Sequence, residues 1–146
     1  MNNPAPTSVN VTLTITTDAS GNPQGAWSGS SYVSAVGDLN LTTIKGVIQV
    51  TMTISTALQV RYQTPAAQAL WIGLESSGPP KAPYSGTEFS APTFPAGVSN
   101  SLQWTDQNSD GQNYLYTLLV WQVNSQYPSG RVFKLDPRII NRGTSK

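Results

Sequence analysis

The residues best spaced to do chemistry in this 146-residue chain are the side-chain oxygens of Asp106-Gln107-Asn108-Ser109-Asp110-Gly111. The string matches the first half of a calcium loop, D-x-[DN]-x-[DN]-G, in which alternate oxygens converge on a hard cation and glycine takes the sharp turn. Asp106, Asn108 and Asp110 are therefore weak calcium-loop candidates. The full motif needs a bidentate carboxylate six residues after that glycine, and Thr117 stands there. The competing reading is a polar hairpin loop, in which Asp and Asn cap their own backbone and glycine supplies the left-handed position.

Other chemistries lack their parts. The chain has no His and no Cys, which removes the Ser-His-Asp triad, imidazole and thiolate metal sites and the Cys nucleophile. Of its seven carboxylates, Asp106 with Asp110 or Glu75 with Glu88 could form a glycosidase pair, which needs a separation of ~5–10 Å, but nothing local marks either pair as buried or tuned. Neither G-x-G-x-x-G nor G-x-x-x-x-G-K-[ST] occurs, so no phosphate-cradling loop is present. We expect no catalytic residue, no cofactor and no enzyme activity.

Aromatic side chains combine apolar area with a polar tip and can form sugar-stacking platforms. Trp71 and Trp121 lie inside apolar strands and are expected in the core. Trp27, in Gly25-Ala-Trp-Ser-Gly29, reads as part of a polar loop and is the leading ligand-contact candidate, followed by Tyr84 and Phe89 in a proline-rich segment.

The elements that must position these residues read as strands. Val9, Val11, Leu13 and Ile15 alternate with polar residues, as do Ile48, Val50, Met52 and Ile54; period two marks half-buried strands. Asp18–Gly25 reads as turn throughout. Weaker strands are expected over Ser31–Val36, near Leu39 and Leu41, and from Leu58 to Tyr62, with Ala69–Leu74 as a compact apolar strand. Thr64-Pro65 starts at most one helical turn. Ser76–Asn100 holds five prolines and reads as a long ordered loop or broken edge. Tyr114–Trp121 is apolar on both faces, as expected of a central strand covered on both sides, or covered by the core on one and a partner on the other. Asp136-Pro137 reads as structural, an end to pairing where Pro137 lacks a donor and Asp136 accepts local N–H bonds.

These signals give seven to nine short strands and no long helix, hence an all-β, antiparallel immunoglobulin-like sandwich, with a jelly roll or small barrel as alternative. The expected layout is a flexible arm over 1–7, one domain over 8–141 and a basic tail over 142–146. A chain of this length buries roughly two thirds of its unfolded surface and needs no disulfide or metal.

Charge argues against some partners. The net charge is +1 and only 10% of residues are charged, against an ordinary ~25%. Tyr114 and Tyr116 have no basic neighbour in sequence, so nucleic acid is not an expected partner. Arg131, Lys134, Arg138, Arg142 and Lys146 cluster at the end, as a solvated edge or as a contact for an acidic partner. No signal peptide or membrane-spanning run is seen, so the expected location is the cytoplasm, or export without a cleaved signal.

At Gly130-Arg-Val-Phe-Lys-Leu-Asp136-Pro137-Arg-Ile-Ile-Asn141 the chain resembles the DP-EP family of small bacterial proteins. The resemblance extends loosely back through Leu102-Gln-Trp-Thr-Asp106-Gln-Asn108 and Tyr114–Val120, and faintly to Leu70–Leu74, so that it covers the C-terminal half. The bacterial inclusion-body protein family is similar more distantly. Where the first family's name implies Glu-Pro after the Asn, this chain has Arg142-Gly143. The resemblance implies a bacterial β-sandwich of unknown function and no catalytic residues. The expected role is a non-enzymatic module for protein contacts, with itself as one possible partner. A carbohydrate-binding module or lectin is the alternative.

Overall fold

The computed structural model describes residues 6–55, 60–95, 97–123 and 127–141. The expected arm (apart from Pro6 and Thr7), Leu58 and the tail with Arg142 and Lys146 lie outside them. Among the described residues ten strands and two single 3-10 turns follow one another, and the strands form two sheets, neither closed into a barrel. The all-β sandwich is thus the fold.

The first sheet has the order β2-β1-β4-β7, with β1 Thr7–Thr17, β2 Pro23–Ser28, β4 Ile48–Ser55 and β7 Ser101–Asp106. β1 and β4, the two cleanest alternating stretches, lie side by side and run parallel from Thr7 opposite Ile48 to Thr14 opposite Ser55. The second sheet is built around β8, Asn113–Gln122. On one side β8 meets β6, Leu70–Leu74, and β5, Val60–Tyr62; on the other it meets β9, Arg131–Leu135, and β10, Arg138–Ile140. The short β3, Leu39–Asn40, runs parallel to β10. The expected all-antiparallel pairing therefore fails at β1–β4 and β3–β10. Periodicity reports which face a residue occupies and carries no information about the neighbour's direction.

Apolar residues at alternate positions fill the space between the sheets. Val11, Leu13, Val50, Met52 and Trp104 face Tyr62, Leu70, Tyr116, Leu118 and Val120. The Tyr62 hydroxyl donates to the Met52 carbonyl at 2.8 Å, and the Trp104 and Tyr116 rings lie 6.0 Å apart. The Tyr116 hydroxyl donates to the Gly37 carbonyl at 2.5 Å. Gly37 is needed there: its φ is +90°, and a Cβ would sit 2.7 Å from the Trp27 ring.

Three local expectations are corrected. Asp18–Gly25 is turn only as far as Asn22, because Asp18 accepts from the Ser20 and Asn22 backbones and closes it early; β2 begins at Pro23. Ser31–Val36 makes only one bridge, between Val33 and Leu39, and lends its Ala35 carbonyl to the Trp27 N–H at 3.1 Å. Asp136-Pro137 does not end pairing. Leu118 faces Leu135 and Leu115 faces Arg138, the same register on both sides, so β9 and β10 form one strand with a single missing donor.

Candidate functional site

Two places in this fold concentrate functional groups. The first is a junction at the end of the sandwich, where four segments meet. The long loop before β7 brings Glu88, the last residue of β7 is Asp106, the β7–β8 loop brings Ser109 and Asp110, and Asn141 follows β10. Glu88 accepts from the Ser109 backbone at 2.8 Å and hydroxyl at 2.9 Å, from the Asp110 backbone at 3.2 Å, and from Asn141 Nδ2 at 3.1 Å. Asn141 Nδ2 also lies 3.4 Å from Asp110 Oδ1, while Asp110 Oδ2 accepts from the Tyr114 hydroxyl. A buried carboxylate with that many donors is a stable structural tie.

Asp106 differs from its neighbours. Its Oδ1 accepts from the Asn108 backbone at 2.8 Å. Its Oδ2 is buried with no partner among the described residues, and so is Asn141 Oδ1. Burial pushes the Asp106 carboxyl up to about 7, opposed by the Asn108 backbone bond and the Asn141 side chain and reinforced by Glu88 and Asp110. Loss of solvation penalises the charged form of a buried acid.

The calcium-loop residues do not converge as that motif requires. Asn108, at φ +57°, directs its amide to the Leu41 and Ile44 carbonyls at 3.1 and 2.7 Å. Asp106 caps its own loop, and Thr117 lies on β8, donating to Asp136 Oδ1. Among the described residues no group of three or more His, Cys, Asp or Glu could hold a metal ion. The arrangement is that of a capped loop that crosses from β7 in the first sheet to β8 in the second, so the expected hairpin is corrected while the backbone capping is present. Its long-range partners, Glu88 and Asn141, have no local sequence signal.

The second place is the outer face of the second sheet. Tyr114, Tyr116, Leu118 and Val120 of β8 belong to the core, so Leu115, Thr117, Leu119 and Trp121 point away from it. Cross-strand partners extend this face: Trp71 lies opposite Thr117, Val132 and Arg61 opposite Trp121, and Lys134 opposite Leu119. The Lys134 ammonium sits 5.0 Å over the Trp71 ring, Pro80 packs at Gly73, and the Gly130 turn packs against the Trp121 ring. Val132 is 39% exposed. No strand or helix among the described residues forms a third layer over this face.

Trp27, Trp71 and Trp121 are placed the other way round from expectation. Trp27 and Trp104 are buried in the core, whereas Trp71 and Trp121 are half-buried on the outer face. Trp27 lies opposite Leu13 in the β1–β2 pair, which turns it inward rather than into a polar loop. Phe89 is also buried, and Tyr84 and Tyr114 meet its ring edge-on at 5.2 and 4.7 Å. Of the three ligand-contact candidates, Tyr84 alone keeps intermediate exposure. Asp136 and Pro137 lie between β9 and β10, with Pro137 buried.

No known family profile matches the chain, and no curated protein matches it. The likeness to the DP-EP family thus rests on the residues quoted above. No helix among the described residues is long and apolar enough to cross a membrane. Among solved structures, the chain is similar to the inclusion body protein (PixA) of Burkholderia cenocepacia J2315, at 9% identity over 94% of this chain and 97% of that chain, with a TM-score of 0.40.

Proposed function

We propose that this protein is a non-enzymatic β-sandwich module that makes protein–protein contacts, with a second copy of itself as the first partner to test. The observation that supports it is the outer face of the second sheet. A solvated sheet face ordinarily alternates to polar residues. This one carries Trp71, Leu115 and Trp121 half-buried and Val132 39% exposed, around a covered Leu119. Contiguous apolar area with aromatic anchors is the composition of contact surfaces.

The test is solution mass against concentration, by light scattering after size exclusion. Growth beyond the monomer is expected. Val132→Asp places a charge on the most exposed apolar position of the face and should weaken association at least about tenfold, equivalent to ~1.4 kcal/mol. A strict monomer at every concentration, or a variant that associates as the parent does, would overturn self-association through this face.

A further inference from the structure

We propose that the free edge of β9 pairs with β9 of a second copy, antiparallel and about a two-fold axis at Phe133, joining the two second sheets into one. The directions of the ladder bonds carry this. The Leu119 N–H donates to the Ala69 carbonyl and the Leu119 carbonyl accepts from the Gln63 N–H, both at 2.9 Å, whereas the Tyr116 N–H donates to the Pro137 carbonyl. Odd-numbered residues of β8 therefore bond toward β5 and β6, and even-numbered ones toward β9 and β10. In β9, Arg131, Phe133 and Leu135 lie opposite Gln122, Val120 and Leu118 and take the ladder bonds. Val132 and Lys134 must turn their N–H and C=O groups to the other side, where no strand among the described residues pairs with β9.

Other edges of the sandwich are occupied. Phe89 and Thr93 bridge to β7. The Tyr62 N–H of β5 donates to the Ser99 carbonyl at 2.7 Å, and the Trp27 N–H of β2 to the Ala35 carbonyl at 3.1 Å. A charged side chain commonly blocks an open edge. Here Lys134 reaches back across β8 to hold its ammonium 5.0 Å over the Trp71 ring, and Asp136 is tied to Thr117 of β8. The edge is left to apolar side chains: Val132 is 39% exposed, and Phe133 and Leu135 are half-buried at the rim of the core.

A second copy fits this edge better than an acidic peptide, because the lysine that would attract one is committed to Trp71. In the two-fold register Val132 pairs with the partner's Lys134 and Lys134 with the partner's Val132. Every outward N–H of both strands then finds a carbonyl, and no like charges stand directly opposite. Phe133 meets its symmetry mate on the core side, where the added strand would cover it. The contact is self-complementary strand addition. It goes beyond the face contact proposed above: it leaves the outer face free and sets two such faces side by side.

Three measurements on the full chain test it. Val132→Pro removes an outward N–H and no bond to β8, keeps the position apolar, and is a substitution that an edge strand tolerates. Light scattering should show association weakened at least about tenfold, because both copies lose the bond. Amide exchange read residue by residue by NMR should find Val132 and Lys134 fast in dilute protein and protected as concentration rises, with Phe133 and Leu135 protected throughout. Phe133→Cys gives the chain its only thiol. A directly opposed, non-hydrogen-bonded pair sets the two Cα atoms ~4.5 Å apart, within disulfide reach, so mild oxidation should yield a covalent dimer. Mass growth that Val132→Pro leaves unchanged, or that leaves the Val132 and Lys134 amides fast, would overturn edge pairing and leave the face contact standing. An associating Phe133→Cys chain that gives no covalent dimer would overturn the axis at Phe133. A monomer at every concentration would overturn both contacts.

Discussion

Tyr116 donates its backbone N–H to the Pro137 carbonyl at 2.9 Å, so the residue that cannot donate to the ladder still accepts from it. The register runs unbroken from Leu135 to Arg138 across this point. A proline in a strand is tolerated where its missing donor costs little. Here the strand keeps its path through Tyr116, and Asp136 supplies a side-chain bond across the same gap. The C-terminal strand thus reaches the junction and places Asn141 beside Asp106.

That side-chain bond should be measurable. Thr117 is 0% exposed, and its hydroxyl donates to Asp136. Asp136→Ala would leave the buried hydroxyl unsatisfied and should lower unfolding free energy by about 1–3 kcal/mol. Thr117→Val in the same background removes the orphan and should recover part of the loss. Urea unfolding of the two single variants and the double variant reads the coupling; additive losses would show that the bond contributes nothing.

Much of the fold was legible because sheets write their faces into sequence with period two. β1, β4, β6 and β8 all lie where alternation or apolar runs placed them. Strand direction and pairing were not legible. Trp27 shows how that matters: its flanking Gly and Ser suggested a loop, yet the early closure of the Asp18 turn puts it in β2 opposite Leu13. Trp71 and Trp121 sit in apolar strings and still face outward, because β6 and β8 are apolar on both faces. In the junction, Asp106 and Asp110 were visible as a motif. Glu88 and Asn141 reach it only through tertiary contacts, and single polar residues in a proline-rich loop and a terminal segment carry no periodicity that could announce this.

Asp106 should give the whole protein an unusual pH profile. Its carboxyl is raised from 3.8 to about 7 in the folded state by burial. A raised acid binds its proton more tightly when folded, so its contribution is complete below about 3.8 and is lost as pH rises to about 7. The loss is at most of order 4 kcal/mol, taken from ~1.36 kcal/mol per unit. Denaturant unfolding at constant ionic strength should show stability falling between pH 4 and 7, with Asp106→Asn flat over the same range. A parent profile that rises through this window would show that Asp106 is not held in its protonated form.

The exchange of places among the tryptophans predicts a fluorescence result. Trp27 and Trp104 are 7% and 1% exposed, while Trp71 and Trp121 are half-buried on the outer face. A neutral quencher should therefore reach mainly the outer pair. Replacing Trp71 or Trp121 with Phe should lower the quenchable fraction of emission; replacing Trp27 or Trp104 should raise it. Stability should follow burial. Trp104→Ala removes a ring packed against Tyr116 between the sheets and should cost about 3–5 kcal/mol. Trp71→Ala loses a ring covered on one side by Lys134 and should cost less, ~1–2 kcal/mol. If the outer face is a contact surface, quenching of Trp71 and Trp121 should also fall as concentration rises. Protection that stays constant while mass grows would move the contact to another part of the sandwich.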